Sequence, residues 1–249
     1  IIRTTDWTII PLENLIAQRR NLFLEVATPD AARTAAGILE KGVDGFIITA
    51  GQETDVRKII AGLKAQAETI GLVEATVTRV LPLPMGDRVC VDTCTNMSPG
   101  QGMLIGNSSS GMFLVHSESI ENPYVAPRPF RVNAGPVHAY VRVPGGATRY
   151  LSELAAGDPM LIVRHDGVTE HAVVGRVKIE RRPLVFVEAA VSGRPYTLIL
   201  QNAETIRLTA PGGKPVSVVD LSEGSRVLMY TEQAGRHFGM KVEETIREK

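Results

Sequence analysis

The sequence predicts an α+β protein: an N-terminal region of alternating strands and helices, like part of a (β/α) barrel, followed by a repeated, barrel-like all-β region. Two observations predict this division. Apolar residues recur with helical spacing only before residue 72, and short β-branched runs separated by glycine and proline fill the remainder. A pattern of turns and strands also recurs along that second part. We therefore place βα units of a larger α/β domain at residues 1–71 and a β-rich domain at residues 72–249.

The first region is predicted from its helix and strand signals. Strands are expected over 7–10, 23–27 and 45–49, and helices over 11–20, 29–41 and 55–70. Thr28 is the predicted N-cap of the second helix, Pro29 occupies its first turn, and Gly42 ends it. This order predicts parallel strands covered by helices. Because the chain begins with Ile1 in what reads as a strand, we expect the protein to extend further towards its N-terminus.

The β-rich region repeats one pattern, with about three units in total. Pro144-Gly145-Gly146, followed by an apolar run over 160–162, recurs as Pro211-Gly212-Gly213 with an apolar run over 227–229. A weaker copy lies over 97–118. Each unit reads as two or three strands joined by glycine turns. Units of this kind would wrap into a closed or partly closed barrel, which removes exposed strand edges.

The charge balance and the cysteine content exclude several classes of protein. Basic and acidic residues balance at 27 each, so the chain lacks the basic excess that nucleic acid or an anionic membrane requires. Only Cys90 and Cys94 are present, which excludes a disulfide framework, and their spacing is not that of a zinc site. No apolar run approaches the roughly 18 residues of a membrane span. We expect a soluble, cytoplasmic protein that binds a small molecule.

The densest polar stretch lies over 128–142. On an extended chain Arg131, Asn133 and Gly135 share parity, as do His138, Tyr140 and Arg142. Where the intervening Gly-Pro resets the strand, both groups lie on one face. Guanidinium groups suit a substrate carboxylate, and histidine exchanges protons near neutral pH. This pattern predicts a substrate-binding face, with an ordinary solvent-exposed strand as the alternative.

Two shorter stretches are further candidates. His116 and Glu118 would share a strand face, as an acid/base pair, as two metal ligands or as part of an ordinary solvent face. Ser108 and Ser109 lie in a glycine-flanked loop that would hold an anion or form a solvated hairpin tip. Arg236-His237 is a weaker case of the first kind. The glycines over 100–106 are not a dinucleotide fingerprint, because a strand rather than a helix follows them.

Several stretches resemble the class II, archaeal-type 3-dehydroquinate synthase family. The most specific is the run over 128–146, and others lie over 5–7, 11–14, 39–45, 92–106, 113–118, 200–205 and 236–239. Together they cover almost the whole chain. Chains of this family have more α/β sequence at their N-terminus, in agreement with the expected extension.

The resemblance implies an enzyme of the shikimate pathway. The family reaction is NAD-dependent oxidative deamination and cyclisation of 2-amino-3,7-dideoxy-D-threo-hept-6-ulosonate to 3-dehydroquinate. We expect Arg128 and Arg131 to anchor the substrate carboxylate and His138 or His116 to transfer protons. Asn133 and Glu118 would orient these groups. Further candidates are Arg142, Ser108 and Ser109 for substrate binding and, with less weight, Glu13, Asn14, Arg236 and His237.

Two alternatives stand beside this expectation. The same family includes 3-amino-4-hydroxybenzoate synthases, which use a phosphorylated substrate and a divalent metal, Mn or Mg, instead of NAD. Gln101 stands where the archaeal pattern has an acid, and Asn107 adds an amide beside the serine loop, which favours a phosphorylated substrate slightly. The second alternative is a non-enzymatic β-rich module for binding or homo-oligomerisation.

Overall fold

A computed structural model describes residues 1–3, 9–39, 41–49, 51, 53–64, 69–123, 125–232, 235–237 and 240–242. The chain divides into two compact units, Ile1–Ala67 and Glu68–Lys249. The boundary predicted between residues 71 and 72 lies close to this division.

Three helices and a two-stranded parallel sheet form the described part of the first unit. The elements are α1 (Ile9–Gln18), β1 (Phe23–Val26), α2 (Pro29–Gly37), β2 (Gly45–Ile48) and α3 (Glu53–Lys64), and β1 pairs with β2 in parallel. Their apolar faces meet in one core that includes Leu12, Leu24, Ala32 and Ile59. The parallel pairing confirms the predicted strand–helix order. The predicted strand over 7–10 is wrong at residues 9 and 10, which begin α1, and its first two residues lie outside the described part.

The second helix begins as predicted and ends early. The Thr28 side chain accepts a hydrogen bond from the Ala31 amide at 3.2 Å, with Pro29 in the first turn. The helix ends at Gly37 because Ile38 is extended and Leu39 takes a φ of 53°. Gly42 lies in the loop beyond it, where a Cβ atom would meet the carbonyl group of residue 36. The glycine therefore permits the loop rather than ending the helix itself.

The second unit is almost entirely β. Its strands are β3 (Val73–Thr93), β4 (Gln101–Ser108), β5 (Gly111–His116), β6 (Arg131–Pro136), β7 (Tyr140–Arg142), β8 (Thr148–Tyr150), β9 (Pro159–Arg164), β10 (Thr169–Val191), β11 (Arg194–Gln201), β12 (Arg207–Thr209), β13 (Pro215–Ser217), β14 (Arg226–Thr231), β15 (Gly235–His237) and β16 (Met240–Val242). Twelve of them form one sheet in the order β13-β12-β5-β14-β3-β10-β9-β4-β7-β8, with β11 beside β10, β6 beside β3 and β4 also beside β5. The change from helical to β structure near residue 72 is thus confirmed. No helix in the described ranges is long and apolar enough to cross a membrane.

The sheet is buried on both faces around β4 and β5. Met103 and Ile105 belong to the main core, whereas Leu104 between them packs into a second cluster with Leu114 and Leu161. Every residue of β5 is buried. Side chains of successive residues point to opposite faces of a strand, so both faces here are covered. The expected solvent face on this part of the chain is therefore absent from the described structure.

Two of the repeated units share local structure. Pro144–Gly146 and Pro211–Gly213 each form a short 3-10 turn, and the central glycines have nearly equal dihedral angles: φ 77° and ψ 12° at Gly145, φ 75° and ψ 10° at Gly212. Each turn joins two strands of three residues, β7 to β8 and β12 to β13. A left-handed φ favours glycine, which explains why the motif recurs unchanged.

Candidate active site

A network of charged side chains surrounds Asp92 near the end of β3. Arg131 lies directly opposite on β6 and donates from Nε to Oδ1 at 2.6 Å and from Nη2 to Oδ2 at 2.9 Å. Arg176, opposite on β10, donates from Nε and Nη2 to Oδ2 at 2.9 and 2.5 Å. Asp92 is only 4% exposed. One buried carboxylate therefore joins three strands.

Hydrogen bonds determine the protonation states of Asp92 and Arg131. Burial alone would raise the pKa of the Asp92 carboxyl, but hydrogen bonds from Arg131 and Arg176 outweigh burial and hold the pKa below its ordinary value. The hydrogen bond to Asp92 in turn raises the pKa of Arg131. The carboxylate and both guanidinium groups are thus charged at physiological pH.

Cys90 and Arg88 continue the network on the same face of β3. Arg88 donates from Nη1 to the Cys90 sulfur and from Nη2 to Glu180 Oε2, the latter at 2.9 Å. Burial raises the pKa of the Cys90 thiol to about 11 despite the positive charge of Arg88. A thiol with such a pKa stays protonated, so Cys90 is not an activated nucleophile.

Glu118 and Arg128 form the remaining part of the network. Their backbones pair in an isolated bridge, and Arg128 Nη1 lies 3.4 Å from Glu118 Oε2. The charge of Glu118 raises the pKa of both Cys90 and Arg131, which places all these groups in one cluster, called here the Asp92 cluster. Its four arginines, 88, 128, 131 and 176, each contact a carboxylate. Both Arg128 and Arg131 thus contact carboxylates of the chain, and their role in anchoring a substrate carboxylate remains a prediction.

Asn133 lies at the edge of the Asp92 cluster, opposite Cys90 on β6. Its Nδ2 atom donates to Gln201 Oε1 at 2.9 Å, whereas its Oδ1 atom is buried without a hydrogen-bond partner in the described structure. An unsatisfied buried acceptor costs about 1–3 kcal/mol, so a hydrogen bond from a ligand to this oxygen would be favourable. The predicted orienting role of Asn133 agrees with this geometry and remains a prediction.

The polar residues over 128–142 do not form one face. Arg131 and Asn133 lie on β6, which pairs with β3, whereas Tyr140 and Arg142 lie on β7, which pairs with β4 and β8. His138 is exposed in the turn between these strands. Gly135 has a φ of 143°, and the chain changes direction after Pro136. The expectation of a single substrate-binding face is therefore wrong, and the role of His138 remains a prediction.

Arg142 has a different environment from the Asp92 cluster. It is 7% exposed, and its guanidinium carbon lies 4.4 Å from the ring centroid of Tyr230. Its Nε and Nη1 atoms have no hydrogen-bond partner within the described ranges, and neither has Oγ1 of Thr148, the residue opposite on β8.

His116 is held by the backbone. Its Nε2 atom accepts from the Gly100 amide at 2.8 Å, and its Nδ1 atom donates to the Ser117 carbonyl at 2.7 Å. The side chain is 2% exposed, and burial lowers its pKa. Both ring nitrogens thus have backbone partners, and the role of His116 in proton transfer or metal binding remains a prediction. No group of three or more potential metal ligands occurs among the residues that the structure describes.

The serine loop is a closed hairpin turn between β4 and β5. The Ser108 and Ser110 hydroxyls bond each other at 2.8 Å, and Ser108 Oγ also accepts from the Ser110 amide at 3.2 Å. Ser109 is 5% exposed. The arrangement agrees with the hairpin interpretation of this loop, and the substrate-binding role of Ser108 and Ser109 remains a prediction.

The candidates given less weight lie elsewhere in the chain. Glu13 and Asn14 are part of α1 in the first unit, and Arg236 and His237 are in β15. Asn14 is exposed and Glu13 partly so, whereas the side chains of β15 lie outside the described part. Their proposed roles remain predictions.

Sequence reasoning missed the centre of the Asp92 cluster. Arg88, Cys90 and Asp92 alternate with buried Val89 and Val91, a pattern that marks one polar face of a strand. Alternating polar residues also mark the stretch over 128–142, so the sequence contained the same signal at Arg88, Cys90 and Asp92. The partners Arg176 and Glu180 carry no comparable signal, because only the fold brings β10 beside β3.

The fold and the Asp92 cluster define a β-rich protein with a network of charged side chains around a buried carboxylate. Residues 1–63 match the family model of the 3-dehydroquinate synthase II N-terminal domain, and residues 74–249 match that of the C-terminal domain. The chain belongs to the 3-dehydroquinate synthase II family.

Curated relatives match over the whole chain. A 3-dehydroquinate synthase homolog of Persephonella marina is 55% identical over 249 residues, which are 100% of this chain and 75% of the relative. The 3-dehydroquinate synthases of Methanoculleus marisnigri and Methanocaldococcus jannaschii are 52% and 54% identical, again over 100% of this chain and over 76% and 70% of the relatives. No solved structure matches the chain.

Proposed function

We propose that this chain forms 3-dehydroquinate from 2-amino-3,7-dideoxy-D-threo-hept-6-ulosonate, with NAD as the oxidant. The observation that supports this most is the family match in both units, with relatives named 3-dehydroquinate synthase that are 52% and 54% identical over the whole chain. The same match supports an enzyme rather than a purely structural β module.

The chemistry requires a base for the amine and for the carbon that closes the ring. Among the carboxylates of the Asp92 cluster, Glu118 has the weakest ion pairing, a single contact of 3.4 Å to Arg128. Asp92 and Glu180 each bind two or more basic side chains at shorter distances. We therefore assign proton transfer to Glu118 and a structural role to Asp92.

The glycine-rich stretch over 100–106 does not fit NAD. It forms β4, whose backbone pairs with β5, β7 and β9, so its amides are used within the sheet. A pyrophosphate requires free amides, as at a helix N-terminus. The NAD requirement is therefore proposed from family membership alone, and the assay must test it directly.

The test is turnover of the 7-deoxy amino-heptulosonate by the purified chain, followed by NADH absorbance and by detection of dehydroquinate, with and without Mn²⁺. Formation of both products supports the proposal. A metal-dependent aromatic product from the 7-phosphorylated substrate, without NADH, would instead assign the chain to the 3-amino-4-hydroxybenzoate branch.

A pair of variants tests the role of Glu118. Glu118→Gln should lower turnover about a hundredfold, the scale of general acid–base catalysis, with an unchanged melting temperature. Glu121→Gln alters an exposed carboxylate on the same segment and should leave turnover unchanged. Similar activity of the two variants would remove Glu118 from the mechanism.

A further inference from the structure

Arg142 differs from the other buried arginines of the described structure. Arg88 and Arg131 each bond a carboxylate, at 2.9 and 2.6 Å. Arg142 is buried to a similar degree, but its Nε and Nη1 atoms have no hydrogen-bond partner in the described ranges. The ring of Tyr230 offers only a cation–π contact. Since a buried charge is costly unless it is paired and hydrogen-bonded, this guanidinium lacks its anion.

A second unsatisfied group lies beside Arg142. Thr148 is opposite Arg142 in the antiparallel register of β7 and β8, so their side chains share one face. Its Oγ1 atom is buried and has no hydrogen-bond partner within the part of the chain that the structure describes. Two N–H donors and one hydroxyl are therefore unsatisfied at paired positions on one face. A carboxylate, which only accepts hydrogen bonds, would satisfy all three groups.

Aromatic rings line the same face. Tyr140 and Tyr150 form the next pair on this face, two positions along the register; their rings stack at 4.6 Å and their hydroxyls bond at 2.9 Å. Tyr150 is 40% exposed, so the face runs from solvent inward to Arg142. Tyr230 covers the guanidinium from β14. A ligand that carries a ring could stack on the tyrosines while its carboxylate meets Arg142.

We propose that Arg142, Thr148, Tyr140, Tyr150 and Tyr230 form a binding site for a small carboxylic acid that carries a ring. Binding requires the Tyr230 ring to shift from the guanidinium, and the carboxylate then takes its place. This site is separate from the Asp92 cluster and does not depend on the proposed reaction.

The test uses isothermal titration calorimetry at low ionic strength, with 4-hydroxybenzoate as the probe and 4-hydroxybenzyl alcohol as its uncharged counterpart. The wild-type chain should bind 4-hydroxybenzoate, and it should bind 4-hydroxybenzyl alcohol at least about tenfold more weakly. Arg142→Met should lower the affinity for 4-hydroxybenzoate about tenfold or more, and Thr148→Val by a smaller factor. Failure of the wild type to bind the acid, or equal binding of acid and alcohol, would overturn the proposal.

The melting temperatures of variants show whether Arg142 binds a ligand or stabilises the fold. Arg142→Met removes a buried charge that has no anionic partner, so the melting temperature should stay the same or rise. The matched control is Arg194→Met, because Arg194 also lies over a tyrosine, with its guanidinium 5.3 Å from the Tyr196 ring, but it is exposed. The control should bind the probe as the wild type does. A variant at Arg142 that fails to fold, melts below the control or binds normally would show that the guanidinium serves the fold, and the proposal would be abandoned.

Discussion

Asp92 on β3 and Arg131 on β6 lie opposite each other and share two hydrogen bonds, of 2.6 and 2.9 Å, while Arg176 reaches the same carboxylate from the other side. Both members of the central pair are buried, at 4% and 9% exposure. Removal of the carboxylate would leave a buried guanidinium without its anion, which is more costly than the pair itself is stabilising.

Asp92→Asn should therefore destabilise the fold strongly. We expect a loss of about 3–5 kcal/mol in the free energy of unfolding, measured by urea titration. Asp166→Asn is the control, because Asp166 pairs with Arg164 at 2.5 Å on the surface, where solvent screens the pair, and its loss should be far smaller. Equal losses in the two variants would show that burial does not set the strength of the Asp92 pair.

The buried Cys90 thiol should make the free energy of unfolding decrease at alkaline pH. The pKa of Cys90 is raised by burial from 9.0 to about 11, so the folded chain retains a proton that the unfolded chain releases. This contribution is fully present below pH 9 and is lost as the pH rises towards about 11. Cys90→Ala should flatten urea-derived stability over this range, whereas Cys94→Ala, at the exposed thiol, should not. If the free energy of unfolding of Cys90→Ala still falls over this pH range, other groups cause the decrease.

The folded state should resist protonation of His116 as the pH falls. Burial lowers its pKa, and Nε2 must stay unprotonated to accept from the Gly100 amide. Because the folded pKa is depressed, this stabilisation is present above the unfolded pKa of about 6.5 and is lost as the pH falls through the folded value. Nitrogen NMR of the imidazole should show the Nδ1–H tautomer at pH 6. An imidazolium signal at that pH would contradict the buried hydrogen bonds.

Local signals were sufficient for part of the fold. The Thr28 cap, the start of α2 and the parallel order of β1 and β2 follow from short-range patterns, as does the change to β structure near residue 72. Such features depend on residues within a few positions of one another. The end of α2 was wrong because the left-handed Leu39, which no propensity favours, stops the helix before Gly42.

The candidate site required contacts that no local pattern contains. Arg131 and Arg176 lie 39 and 84 residues from Asp92 in the chain. For His116 the alternation leaves a proton-transfer, metal-binding or solvent-exposed side chain open, and only the fold shows that every residue of β5 is buried. The stretch over 128–142 was identified correctly as rich in polar groups, but the turn after β6 separates its two halves.

The matched Pro-Gly-Gly turns also have an evolutionary meaning. Two stretches of one chain with the same turn, between short strands of the same length, are what tandem duplication of an ancestral segment leaves behind. Arg142 stands two positions before the first turn, and the position two before the second turn holds Thr209, which is fully buried. The two copies thus carry different buried side chains at equivalent positions, a cation in the first and a hydroxyl in the second.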